Sequence, residues 1–287
     1  MNIDADALGE WIGRSESVES EINAWPADAF SATLDRDDTR LVTGDAIPPG
    51  WHWLYFPEVV KLVDTGSDGH RRRGDFHPPV PLPRRMWAGT RMQFRRPLHV
   101  GEKLHRESTI EDVQCKQGRS GPLVFVTTRH QVSGDGELAV VEHHEAVYRA
   151  EDVGGEKRMP NPAPASPQWQ REVEPSPVLL FRFSALTSNS HRIHYDWRYA
   201  TGIEGYPGLV VHGPLVALLL LDLFRREMPE EYPRRFDFRA QAPLFDDRSF
   251  FVEGVLNQGS RCAQLWARNG DGAQCMSAEV DFGEGDE

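Results

Sequence analysis

The sequence predicts an α+β protein made of a duplicated unit: two curved antiparallel sheets, each wrapping one apolar helix. Three observations carry this. Strand-like segments separated by glycine turns recur in two blocks, residues 91–150 and 234–283. A Pro-, Gly- and charge-rich break, beginning "EDVGGEKRMPNPAPASPQW" at Glu151, stands between them. One apolar run, "LVALLLLDLF" from Leu215 to Phe224, suits a buried helix and is too short to span a bilayer.

The first forty residues read as polar helix, with Leu8 and Ile12 on one face and Trp25, Ala29 and Ala32 on another. "IPPGWHWLYF" follows a Pro-Pro break, and the first unit's helix is expected near "WHWLYFPEVVKL". Residues 66–89 hold too many prolines and glycines for regular structure. They read as a long ordered loop, a feature often functional in compact proteins. "RMQFRRPLHV", "EKLHRESTIEDVQCKQ", "LVFVTTRHQV" and "LAVVEHHEAVYRA" then form an antiparallel meander. After the break, "SPVLLFRFSAL" reads as a strand and "GPLVALLLLDLFRREMP" as a buried helix with Pro214 in its first turn. Four further strands close the chain. "FRRPLHVGEKLHRESTIEDV" and "FRAQAPLFDDRSFFVEGVLN" share a layout of short strand, proline, acidic turn and long strand. The expected organisation is therefore an N-terminal unit with a helical extension over 1–150, a linker over 151–177 and a C-terminal unit over 178–287.

The chain has 287 residues and a formal net charge of -12, which disfavours nonspecific nucleic-acid binding. Three cysteines without close pairing suggest a reducing compartment. The acidic start "MNIDADALGEWIG" does not resemble a signal peptide, and a cytoplasmic protein without membrane contact is expected.

The chemistry concentrates in "NSHRIHYDWRYA", Asn189 to Ala200. A metal site built on His191, His194 and Asp196 would need a remote further ligand. A capping role suits Asp196 ahead of "WRYA" and Asn189 or Ser190 ahead of an earlier turn. Acid/base chemistry suits His194, whose imidazole exchanges protons near neutral pH. Gly213 opens the apolar helix, and its N–H is placed to stabilise charge developing on a carbonyl oxygen.

"FSALTSNSHRIHYDWRYA" resembles the signature of the MaoC-like type 2 enoyl-CoA hydratases and hydroxyacyl-thioester dehydratases. The "HG" of His212 and Gly213 matches too. Together with "EGYPGLVVHGPL" and "PLPRRMWAGTRMQF", the motif is most similar to the branch of mesaconyl-C4-CoA and itaconyl-CoA hydratases. The resemblance covers about Trp51 to Phe282. It implies a double hotdog fold and reversible hydration of a short branched dicarboxylic acyl-CoA, with no metal or redox cofactor. It implies that His194 moves the proton and that Gly213 N–H polarises the thioester carbonyl. The family's usual Asp slot holds Asn189 here. An amide is no base, so Asn189 is expected to orient water or substrate, with a second acid left open.

CoA phosphates call for local basic residues, for which Arg84, Arg85 and Arg192 are the candidates, with Arg71 to Arg73 a further cluster. Arg192 is also a candidate for a free substrate carboxylate. Three alternatives stand beside the hydratase reading: a fatty-acid hydroxyacyl-thioester dehydratase, a noncatalytic acyl-CoA binding protein and a thioesterase. A homodimer and a pseudo-dimeric monomer are both open.

Overall fold

The structure is a computed structural model that describes residues 3–118, 121–150, 161–257 and 259–283. Its elements run α1 (Ala5–Gly9), β1 (Ser15–Glu21), α2 (Ala24–Thr33), β2 (Arg84–Phe94), β3 (Lys103–Gly118), β4 (Gly121–Gly134), β5 (Glu137–Arg149), β6 (Trp169–Val173), α3 (Pro177–Thr187), α4 (Trp197–Gly202), α5 (Gly213–Glu227), β7 (Arg235–Ala240), β8 (Phe250–Leu256), β9 (Cys262–Asn269) and β10 (Gln274–Asp281).

All strands join one ten-stranded sheet in the order β1-β3-β4-β5-β2-β7-β10-β9-β8-β6. Read outward from the centre, the halves repeat each other: β2, β5, β4, β3, β1 on one side and β7, β10, β9, β8, β6 on the other. The two predicted sheets thus meet edge to edge, through antiparallel pairing from Gly89↔Arg239 to Gln93↔Arg235. That seam needs a glycine, because a Cβ at Gly89 would overlap the carbonyl oxygen of Phe238.

Helix α5 lies against β6, β8, β9 and β10, and every residue from Leu215 to Phe224 is buried. A helix apolar on all sides must be enclosed on all sides. The one charge within that buried run, Asp222, is held by Arg36 at 2.7 Å, Arg226 at 2.7 Å, Arg171 at 3.0 Å and Arg225 at 3.5 Å. None of the helices in the described residues is long and apolar enough to cross a membrane.

Four local readings are corrected. "SPVLLFRFSAL" is helix α3, not a strand. Ser176 Oγ caps Leu179 N–H, Pro177 sits in the first turn, and the buried Leu180, Phe183 and Ser184 follow helical spacing. Residues 15–21, read as helix, form β1; "SESVESE" alternates half-buried and exposed and is held by its ladder to β3. Trp25, on a face expected to pack, is exposed, and α2 instead buries Ala27, Phe30, Ser31 and Thr33. Arg84 and Arg85, read as loop, begin β2.

Within the stretch read as linker, Trp169–Val173 forms edge strand β6; residues 151–160 lie outside the described residues. The first unit's helix, expected at "WHWLYFPEVVKL", is a single 3-10 turn, Trp51–Tyr55. It precedes β2 in chain order, as α5 precedes β7, but with the long loop of residues 56–83 between. Without a long helix, the inner face of β2–β5 carries a polar band. Ser108, His130 and Glu142 lie side by side across the strands, as do Thr128, His144 and Thr90.

Candidate active site

Three elements converge on His194. It ends a one-turn 3-10 helix, Arg192–His194, in the connection between α3 and α4. Its ring is buried, and Nδ1 lies 2.7 Å from the carbonyl oxygen of Val210. A carbonyl only accepts, so the proton is on Nδ1 and the Nε2 lone pair is available. Among the described residues Nε2 has no hydrogen-bond partner. Burial, then the neighbouring His191, pushes the His194 pKa down to about 3, against the pull of the Val210 hydrogen bond. The ring is therefore neutral at physiological pH, with its proton on Nδ1 and the Nε2 lone pair uncommitted.

His212 stacks on His194 with ring centroids 3.8 Å apart and planes at 20°. It is the residue before α5, and its Nε2 lies 2.8 Å from Ser184 Oγ on α3. Next comes Gly213. Pro214 has no N–H, and Val216 N–H donates to His212 O. Gly213 and Leu215 are left with the first-turn N–H groups that have no carbonyl inside the helix. The His194 ring is thus set beside the positive end of a buried helix.

The long loop of the first unit closes over this segment. Ser190 Oγ donates to Gly69 O, Arg192 N–H donates to Asp68 O, and Arg192 also reaches Ser67 O. Gly69 has φ +92, and any side chain there would overlap the Ser190 carbonyl. This close approach brings the His70 ring to 4.2 Å from His191, which stands edge-on to His194 at 5.3 Å. Burial, opposed by Asp68 and aided by Arg85, takes His191 down to about 4. His70 and His212 are pushed well down, chiefly by burial.

On the other side of Gly213 stands Trp87, 3.8 Å from where a Cβ at Gly213 would lie. A β-bulge between Trp87 and Gly89 sets this side chain. The Trp87 indole donates to Thr90 Oγ1 at 2.8 Å and stacks flat on His144 at 4.5 Å. Burial takes His144 down to about 3 and His130 to about 4. Glu142 receives hydrogen bonds from the Trp53 indole and from His52. These, with His130, outweigh the burial that would raise it and hold it down at about 2.

The sequence-derived residues do not all gather here. His194 and Gly213 are brought together. Asn189 Oδ1 accepts the His191 backbone N–H, so this amide shapes its own loop. Asp196 caps α4 through the Tyr199 N–H, as its position suggested, and pairs with Arg192 at 2.8 Å. Arg84 donates to Glu204 O. Arg85 faces the same side of β2 as Trp87 and reaches His77 Nε2 at 3.5 Å. His70 and the inner-face histidines His130 and His144 carried no sequence signal beyond their residue type. Only the fold brings loop 66–89 and strands β4 and β5 to this place.

Comparison with known proteins follows the same lines. Residues 50–246 match the family model for hydroxyacyl-thioester dehydratase type 2. The chain is 46% identical over 276 residues to mesaconyl-C(4)-CoA hydratase of Chloroflexus aurantiacus, covering 95% of this chain and 97% of that one. It is 28% identical over 251 residues to the mitochondrial hydroxyacyl-thioester dehydratase type 2 of Schizosaccharomyces pombe, covering 77% and 83%. A Mycobacterium tuberculosis structure described as a double hotdog fold matches with TM-score 0.57 and 15% identity, over 94% of this chain and 95% of that one.

Proposed function

The chain belongs to the hydroxyacyl-thioester dehydratase type 2 family, and from that membership we propose that it reversibly hydrates a short dicarboxylic acyl-CoA thioester of the mesaconyl-C4-CoA type. The observation that carries the chemistry is the placement of a neutral His194, with its proton fixed on Nδ1, against His212 and the first turn of α5.

In the hydration direction, His194 Nε2 accepts a proton from water as the water oxygen bonds to the β-carbon. Electrons move through the double bond to the thioester oxygen, where Gly213 N–H stabilises the enolate-like charge. His194 then returns the proton to the α-carbon, so one C–O and one C–H bond form and the histidine ends neutral. Dehydration is the reverse. Asn189 supports this by holding the His191 turn rather than by exchanging protons. Arg84 and Arg192 remain proposed contacts for CoA, Arg192 in a form already tied to Asp196.

The test is the enoyl-thioester absorbance of mesaconyl-C4-CoA, itaconyl-CoA and crotonyl-CoA with wild type and His194→Ala. Turnover of a dicarboxylic thioester, lost in His194→Ala, is expected. Binding without turnover of any of the three would overturn the hydratase reading in favour of an acyl-CoA binding protein, and release of free CoA in favour of a thioesterase.

A further inference from the structure

Most half-buried arginines of this chain hold a carboxylate: Arg36, Arg96, Arg171, Arg225, Arg226 and Arg268. Of those without an ion pair among the described residues, Arg73 donates to the carbonyls of Val80, Leu82 and Pro83, and Arg106 lies over the Phe56 ring. Among the described residues Arg85 has no ion pair, and its guanidinium reaches only His77 Nε2, at 3.5 Å. The arginine must donate in that contact, so His77 carries its proton on Nδ1. That Nδ1 is buried with no hydrogen-bond partner. A guanidinium with no ion pair and a buried N–H donor with no acceptor stand side by side, a pairing of donors that suits a carboxylate.

Its location fits the acyl end of the substrate. Arg85 lies on the inner face of β2, two residues before Trp87, which borders Gly213. That is roughly 7 Å along a strand. The flat face of Trp87 is covered by the His144 ring. The charge of Arg85 is felt by His70 and His191 on one side and by His77 and His144 on the other, so it stands between the catalytic row and the polar band. Glu58 also feels it, without closing to an ion pair.

We propose that Arg85, flanked by His77 and His144, receives the free carboxylate of a dicarboxylic acyl group whose thioester carbonyl is held at Gly213. This rests on the hydratase reading for the thioester and adds the residue that selects the acyl class. It reassigns Arg85 from the CoA phosphates and takes the carboxylate role from Arg192, which is committed to Asp196.

The test compares mesaconyl-C4-CoA with 3-methylcrotonyl-CoA, in which a methyl group replaces the carboxylate. Arg85→Met is expected to raise the KM for mesaconyl-C4-CoA by about 30-fold or more, the loss of a charge-assisted pair. The inhibition constant of 3-methylcrotonyl-CoA should move by less than about 3-fold. Arg85→Lys, which keeps charge without the fork, should fall between wild type and Arg85→Met and supplies the result if Arg85→Met does not fold. An equal loss for both thioesters, or no change for either, overturns the assignment. If wild type turns over neither compound yet binds the dicarboxylic one more tightly in an Arg85-dependent way, the subsite stands and the hydratase reading falls.

Discussion

The imidazoles of His194 and His212 lie nearly parallel with centroids 3.8 Å apart, and the second is the residue that leads into α5. This contact ties the proposed proton-transfer group to the helix whose first turn is proposed to supply the carbonyl donor. Replacing His194 by Ala is expected to lower kcat/KM by roughly 10²–10⁴-fold, the usual worth of a positioned acid/base group. Steady-state assays on the hydrated and unsaturated thioesters check it in both directions, and a loss in one direction alone would contradict a single shared proton carrier.

Asn189→Ala is expected to lower kcat/KM by no more than about 10-fold. The amide stabilises the His191 turn through one backbone hydrogen bond, worth about 1 kcal/mol. A loss as large as that of His194→Ala, at unchanged melting temperature, would instead make Asn189 a direct participant.

Stability should fall as pH drops below about 6.5, the ordinary histidine range. His194 and His144 are pushed down to about 3, and His191 and His130 to about 4, each mainly by burial. Between those values and 6.5 the unfolded chain binds protons that the folded chain refuses. Each such histidine then removes up to about 1.4 kcal/mol per pH unit, and none of this loss is present above pH 7. Urea midpoints measured from pH 7.5 to 5 should decline steeply, and a flat profile would mean that these rings are protonated in the folded protein.

Asp222→Asn is expected to destabilise by about 3–5 kcal/mol, because it leaves Arg171 and Arg226 without their carboxylate and Arg36 and Arg225 with Asp38 alone. The carboxylate joins Arg36 beyond α2, Arg171 on β6 and two arginines of α5 itself. Chemical denaturation of the variant reads this directly, and a change under 1 kcal/mol would place the cluster among ordinary surface pairs.

The legible parts of the sequence were those with a strong local pattern. The run Leu215–Phe224 could only be a buried helix, and the valine-rich β4 and β5 alternate as half-buried strands do. Strand β1 was hidden because "SESVESE" has one apolar residue and depends on its neighbour for pairing. Helix α3 was misread because its leucines and phenylalanines suit a strand equally well, although Ser176 and Pro177 marked a helix start. At the site, the Asp196 cap was legible from the run Asn189 to Ala200, and the proposed His194 and Gly213 were singled out from that run and from the "HG" ahead of α5. His70, Trp87 and His144 were not, since their meeting depends on a loop crossing between halves and on one bulge in β2.

The seam at β2 and β7 has an evolutionary reading. Were the two halves separate and identical chains, every residue of one would be repeated in the other, and each pair would carry two matching centres. Joined in one polypeptide, they are released from that constraint. The stretch between α2 and Trp51, which corresponds in order to the segment bearing His191, His194 and His212, contains no histidine at all. Its half has a single 3-10 turn over a polar floor where the other half has the long helix and the His191–His194–His212 row. On the proposed assignments, broken symmetry has turned a pair of equals into a reactive half and a half that reads the rest of the molecule brought to it.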